Sequence, residues 1–303
     1  MKIFLIFILP FTVFAGVFKV GDIDFDSRSA GLRNSDFALI SPNYPNSLIN
    51  PAFTAGNPSM YFSSTYFNHF EDVNSGAVFF NYPDIFIKGH PAGFSISAIN
   101  YGSFEDIDSG TEYNPYDLML SVSQSYKWKD ILTGINIHYA YSSISSEYNS
   151  SAVFTDIAAL YKLMNGKITA GGGIFDLGLQ TDPYYDSEED IDPHLRAGIG
   201  YDLDKIPLSL CSQYDHYLSG FNRYAFGLEL EAKKNLIVRT GYDFSGNDKE
   251  IGSNTKIEKF GGLSFGATIL FDAFGFDFSY IINGELDSEF CATINLLTSE
   301  IFK

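Results

Sequence analysis

Ile131-Leu132-Thr133-Gly134-Ile135-Asn136-Ile137-His138-Tyr139-Ala140-Tyr141-Ser142 carries its bulky side chains on one parity. Ile131, Thr133, Ile135, Ile137, Tyr139 and Tyr141 alternate with Gly134, Asn136, His138, Ala140 and Ser142. Successive side chains of an extended chain point to opposite faces, so this is a strand with one oily face and one wet or glycine-lined face. The same period recurs downstream. Tyr224, Phe226, Leu228 and Leu230 alternate with Ala225, Gly227, Glu229 and Glu231. Leu236, Val238, Thr240, Tyr242 and Phe244 alternate with Arg239, Gly241 and Asp243, and Phe274, Phe276, Phe278 and Tyr280 with Gly275, Asp277 and Ser279. The pattern predicts fourteen strands, starting near Ser59, Val73, Pro91, Pro115, Ile131, Ser150, Lys167, Pro193, Pro207, Asn222, Asn235, Lys259, Phe274 and Ser288.

The connections separate a membrane barrel from a soluble β-protein. After even-numbered strands they are mostly tight, as at Lys127-Trp128-Lys129-Asp130, Leu163-Met164-Asn165-Gly166, Lys233-Lys234-Asn235 and Asp272-Ala273. After odd-numbered strands they are mostly longer: Ser103 to Asn114, Ser143 to Asn149, Gly178 to Asp192 and Gly246 to Glu258. Short turns on one rim and long loops on the other are how outer-membrane barrels are built. Lys88, Lys127, Lys129, Lys205, Lys233 and Lys234 fall at the short turns, and most of the clustered acids fall in the long loops. The fold expected is all-β, a transmembrane antiparallel barrel of about fourteen strands. Asp156, Asp176, Arg196, Asp243 and Asp277 lie within strands and must face the lumen or a rim, because a charge facing lipid is costly. On the same parity, Phe276 faces lipid.

Composition agrees. Of 303 residues, 29 are Phe and 20 Tyr but only one is Trp, and the charged fraction is 18%. The net charge of −18 excludes a nucleic-acid partner. It suits a bacterial envelope, where divalent cations bridge acidic loops to outer-membrane lipopolysaccharide. Residues 1–15 read as a signal peptide: Lys2, an apolar Ile3-to-Phe11 core, then Val13-Phe14-Ala15 before a cut at Gly16. That apolar run is short of the ~20 residues needed to span a bilayer. Residues 16–58 are too irregular to cross lipid and are expected to fold into the lumen or its periplasmic mouth as a plug, leaving 59–303 for the barrel.

Several strings invite chemistry and are better read as structure. Gly262-Leu263-Ser264-Phe265-Gly266 matches the serine-hydrolase elbow but lies inside an alternating strand, with no helix following. Asp22-Ile23-Asp24-Phe25-Asp26 opens like a calcium loop, but Ser27 and Arg33 stand where that loop needs Gly and Glu. Asp182, Asp186, Glu188, Glu189, Asp190 and Asp192 read as a solvated acidic loop. His138 and Asp156 are symmetric about residue 147, so a hairpin could pair them through a lumenal hydrogen bond. His69, His90, His194 and His216 lack metal-ligand spacing. Cys211 and Cys291 fall on non-neighbouring strands and are expected to stay unpaired. No catalytic, cofactor-binding or metal-binding residue is assigned, no cofactor is expected, and the chain is not read as an enzyme.

Short segments carry a resemblance to a known family. They are Ser27-Arg28-Ser29-Ala30-Gly31, Asn50-Pro51-Ala52, Tyr66 to Gly76, Ile99 to Phe104, and Ser145 to Ser150 followed by Asp156. Together they resemble the PorV/PorQ family, most of all its PorQ branch, which is related to FadL-type transporters. The resemblance implies a fourteen-stranded outer-membrane barrel. It further implies a non-enzymatic anchor or adaptor of type IX protein secretion, holding a soluble cell-surface partner through its long loops. The alternative is a FadL-like transporter for small hydrophobic molecules, with Gly16 to Pro58 as its hatch.

Overall fold

The computed structural model describes residues 18–41, 43–56, 59–105, 110, 112–145, 148–184, 191–245, 260–283 and 288–297. The expected signal peptide, most of the acidic run after Tyr184 and the 246–258 loop lie outside them.

Fourteen antiparallel strands close into a barrel: β1 (Tyr61–Asn68), β2 (Asn74–Ile87), β3 (His90–Asn100), β6 (Tyr116–Trp128), β7 (Ile131–Ser143), β8 (Asn149–Leu163), β9 (Ile168–Asp182), β10 (His194–Asp202), β11 (Leu208–Tyr217), β12 (Asn222–Lys233), β13 (Leu236–Asp243), β14 (Leu263–Phe271), β15 (Phe274–Ile282) and β16 (Ser288–Leu297). Closure is direct, β1 pairing with β16 from Tyr61↔Leu297 to Asn68↔Phe290. A two-stranded ribbon, β4 (Phe104–Glu105) with β5 (Glu112–Tyr113), stands on the long β3–β6 connection. Among the described residues no helix is long and apolar enough to cross a membrane, which says nothing of a β-barrel.

Thirteen of the strands begin within two residues of the expected positions; the twelfth starts later, at Leu263 rather than Lys259. β9 runs through Gly178 to Asp182, so the loop expected from Gly178 is shorter. The cause is a bulge: Thr155 faces Leu177 and Ile157 faces Ile174, so two residues, Phe175 and Asp176, stand opposite Asp156. Asp176 takes a left-handed φ of 57°, and both extra residues turn inward.

The faces are inverted relative to a soluble barrel. Leu120, Val122, Ile137, Ile157, Ile199, Phe265, Phe278 and Ile294 are exposed outside, while Ser95, Ser97, Ser121, Ser123, Asn136 and Asp277 are buried inside. An apolar exterior around a polar interior suits lipid as the surrounding solvent. The strand charges Asp156, Asp176, Arg196, Asp243 and Asp277 are all buried on the lumenal side, as lipid requires.

Candidate functional site

Residues 18–56 touch the inner faces of strands all round the closed barrel, which places them in the lumen. Thr65 Oγ1 on β1 donates to the Phe25 carbonyl (3.3 Å), and Thr54 Oγ1 donates to Ser125 Oγ on β6 (2.6 Å). On β7, Asn136 Nδ2 donates to the Ser47 carbonyl (2.9 Å). On the opposite side, Ser264 Oγ of β14 donates to the Gly31 carbonyl (3.0 Å), and the Ser27 amide donates to Thr293 Oγ1 of β16 (2.9 Å). The segment has little regular structure: a 3-10 turn at Lys19–Gly21, then α1 (Ser27–Gly31) and α2 (Phe53–Gly56). Asp26 caps α1 by accepting from the Arg28 amide (2.7 Å), satisfying one of the helix's free donors.

A buried ion network ties α1 to three strands. Arg28 Nε donates to Glu229 Oε2 on β12 (2.8 Å), and its Nη1 to Asp36 Oδ2 (3.0 Å). Glu229 also receives Arg239 Nε from β13 (2.5 Å), and Arg239 Nη1 reaches Asp277 Oδ1 on β15 (3.0 Å). Tyr44 closes the circuit: its hydroxyl donates to Asp277 (3.0 Å) and accepts from Arg239 Nη2 (3.1 Å). Both guanidinium groups lie over its ring, at 5.1 and 5.3 Å. Burial is the main reason the Tyr44 hydroxyl resists ionisation, and the neighbouring Asp277 adds to it. Asp277 faces the lumen as parity requires. It is no free lumenal charge, however, because Thr268 and Asn295 bond it as well.

Two strand glycines admit the segment's backbone. A Cβ on Gly134 would lie 2.1 Å from the Pro51 carbonyl oxygen, and one on Gly241 would lie 2.2 Å from the Leu32 carbonyl carbon. Asn50 bends the chain at the first contact, its Oδ1 accepting from the Ala52 amide and its Nδ2 donating to the Phe37 carbonyl (both 2.8 Å). The Asn-Pro-Ala string is thus a backbone wedge against β7. Gly241→Val should leave the barrel folded but displace the segment. The expected observation is unchanged heat-modifiable gel migration with new protease cleavage within residues 18–56.

Above the segment, toward the long-loop rim, lies a cavity of about 580 Å³. Phe67, Phe70, Val73, Ile99, Tyr101 and Ile281 form part of its wall, and His69, Arg223, Asp243, Asn283 and Glu289 the rest; its floor is Asp24, Ala30, Arg33 and Asn34. The size suits a small molecule, since ligand pockets run from ~300 to 1,000 Å³. Its charges are largely engaged. Arg223 bonds Asp243 (2.7 Å) and Asp215 (3.1 Å), and Glu289 has His69 at 3.4 Å. Arg33, at φ 56°, donates to Asn283 Oδ1 (2.8 Å). Asp24 lies 3.7 Å from Arg196, but burial dominates and pushes its carboxyl up to about 6. A second void, of about 20 Å³, lies between Phe154, Phe175, Asp176 and His194 and has room for one water. Neither ring nitrogen of His194 has a hydrogen-bond partner, though Nδ1 lies 3.2 Å from Asp176.

The sequence motifs resolve into structural roles. Ser264 of the hydrolase-like string is buried and holds α1. Asp22, Asp24 and Asp26 do not converge, and among the described residues no group of His, Cys, Asp and Glu is placed to hold a metal. Cys211 and Cys291 are buried free thiols, on β11 and β16. His138 does bond Asp156 (2.8 Å), but its register partner is Phe154 and the contact is diagonal. Sequence reasoning missed Ser121, one strand over, whose Oγ sits 2.7 Å from His138 Nδ1. Ser, His and Asp in line suggest acyl transfer. Ser121, however, is buried and lines neither of these two cavities.

No protein-family model matches the chain, and no curated protein is similar to it in sequence. Solved structures share its fold. A FadL homologue of Pseudomonas aeruginosa superposes with a TM-score of 0.58 at 12% identity, covering 90% of this chain and 98% of that one. The CymD monoaromatic hydrocarbon channel gives 0.56 at 12%, covering 88% and 97%. The Ralstonia pickettii toluene transporter TbuX gives 0.55 at 11%, covering 92% and 97%.

Proposed function

We propose that this barrel is a bacterial outer-membrane channel for small hydrophobic molecules, closed at rest by its amino-terminal segment. The observation that carries this reading is the mouth cavity of about 580 Å³, floored by that segment and lined on part of its wall by Phe67, Phe70, Val73, Ile99 and Ile281. A solute leaving water gains by burying apolar surface there, at roughly 25 cal/mol per Å². Passage onward runs past the segment and its ion network, so the segment shifts to let a solute through. The shared fold supports the reading, since the similar barrels carry the names of hydrocarbon channels and a toluene transporter.

Equilibrium binding of a small apolar fluorophore tests the cavity. Val73 is a half-buried wall residue on the β1–β2 connection, so Val73→Trp should fill the space without touching the ion network. Probe affinity should fall about tenfold, the scale on which the loss of a favourable apolar contact is felt. Equal affinities would remove the cavity from the mechanism.

The anchor reading rests on the PorV/PorQ-like segments. The structure gives two of them a local purpose: Ser27 to Gly31 forms α1, and Asn50-Pro51-Ala52 seats the chain against Gly134. Both serve to dock the segment in the lumen, which a closed anchor and a gated channel share. The mouth cavity favours the channel.

A further inference from the structure

Cations are sorted by type in this barrel. All five arginines lie in the lumen or its mouth. Every lysine whose side chain is described (Lys88, Lys127, Lys129, Lys162, Lys167, Lys205, Lys233 and Lys234) lies at the short-turn rim. β1 begins and β16 ends at that rim, Tyr61 pairing with Leu297, and its short turns mark it as the periplasmic one.

The lysines are not spread evenly. The arc from the β2–β3 hairpin to the β8–β9 turn carries Lys88, Lys127, Lys129 and Lys162 against Asp84 and Asp130. Lys167, at its end, is held by Asp204 at 2.6 Å. On the remaining rim, Lys205, Lys233 and Lys234 face Asp202, Asp204, Glu231 and Asp272. The same arc carries an unusual hairpin tip. The β2–β3 register slips between Tyr82 and Ile87, and beyond the slip Ile85, Phe86 and Ile87 are all exposed, so both faces of the tip are apolar. Aromatic contacts join it to the lipid-facing band: Phe86 to Phe94 (5.7 Å), and His90 to Tyr126 (4.7 Å). Next to Tyr126 stands Trp128, with Lys129 Nζ 5.4 Å from its ring centroid.

We infer that this arc is a binding site for anionic phospholipid of the periplasmic leaflet, the apolar tip entering the acyl boundary and Lys88 and Lys129 holding the headgroup. Two observations choose the occupant. The apolar surface is continuous with the face that already meets lipid, and the charge excess lies at headgroup depth, where long lysine stems reach the interface. The site is independent of what passes through the barrel.

Trp128 is the chain's sole tryptophan and sits inside the proposed site, so it reports occupancy directly. The full-length protein would be reconstituted in phosphatidylcholine vesicles doped with brominated phosphatidylglycerol or, at the same fraction, brominated phosphatidylcholine. Quenching of Trp128 should show the anionic lipid preferred by roughly fivefold or more, the scale set by one lysine near an anionic surface. The preference should shrink in 0.5 M salt, taken as roughly the regime where screening is strong. The double variant Lys88→Gln/Lys129→Gln should quench equally with both lipids while migrating as a folded barrel. Equal quenching in the unsubstituted protein overturns the inference, as does a preference that survives the double substitution. Absence of quenching by either lipid also overturns it, and would make the arc a surface for a periplasmic protein.

Discussion

Arg239→Met should release the amino-terminal segment from the lumen and raise the ion conductance of single barrels in planar bilayers. Arg239 is buried, and each nitrogen of its guanidinium has a partner: Glu229 at 2.5 Å, Asp277 at 3.0 Å and the Tyr44 oxygen at 3.1 Å. Assembling such a network gains little over an apolar core, but removing one member strands the others. Truncating one partner of a buried ion pair typically costs roughly 3–5 kcal/mol. Here the stranded groups are Glu229, left with Arg28 alone for charge balance, and Asp277, left with hydroxyl and amide partners. Tyr44 loses a hydrogen bond and one of its two stacked cations, and Tyr44 belongs to the segment. The cheapest relief is for the segment to leave and water to hydrate both carboxylates. The fourteen-stranded ladder needs none of these contacts, so heat-modifiable migration should persist while conductance appears. Arg239→Lys, which keeps the charge but loses the planar fork, should fall between. Asp277→Asn should weaken the segment's seat too, since it removes the charge facing Arg239. Conductance unchanged in Arg239→Met would mean that the network does not hold the segment.

Ile137→Arg should impair assembly by roughly 2–4 kcal/mol, the cost of a basic side chain facing lipid at the bilayer midplane. Ile137 is the middle residue of β7, is 55% exposed, and points away from the lumen between Val122 and Thr155. Phe276, on the same lipid parity in β15, is only two residues beyond the strand's start after the Asp272-Ala273 turn. Its own change to Arg should cost less, because the penalty falls toward the interface. Folding of the purified chain into vesicles, titrated with denaturant, would separate the two positions. Equal losses at Ile137 and Phe276 would show that the midplane does not pass near Ile137.

The barrel was legible because its rules are local. Ile131, Asn222 and Phe274 begin strands where expected, since each follows a turn and opens a period-two run, and Ser288 opens another. Where locality fails, the reading failed. At Phe175 and Asp176 two residues turn inward together, so the alternation breaks and β9 read as ending before Gly178. Parity set Glu229, Arg239 and Asp277 facing inward, but it could not name their partners. Arg28 lies 201 residues from Glu229, and Tyr44 lies 233 from Asp277. Gly134 and Gly241 sat on the small-residue face as expected, yet only the docked backbone shows what the missing Cβ is for. The cavity draws on Phe67, Ile99 and Ile281 from three strands together with the segment, a convergence that sequence spacing does not encode.

The central claim is that this barrel passes small hydrophobic molecules by way of its mouth cavity. Flux of a small apolar probe into proteoliposomes carrying a trapped reporter tests it most directly. Entry should be faster with the full chain than with empty vesicles, and should return toward the empty-vesicle rate with Val73→Trp in an equally well-folded barrel. Entry no faster than in empty vesicles, together with recovery of a secreted partner that is lost when Ser187 to Asp192 becomes a Gly/Ser linker, would contradict the channel and favour the anchor.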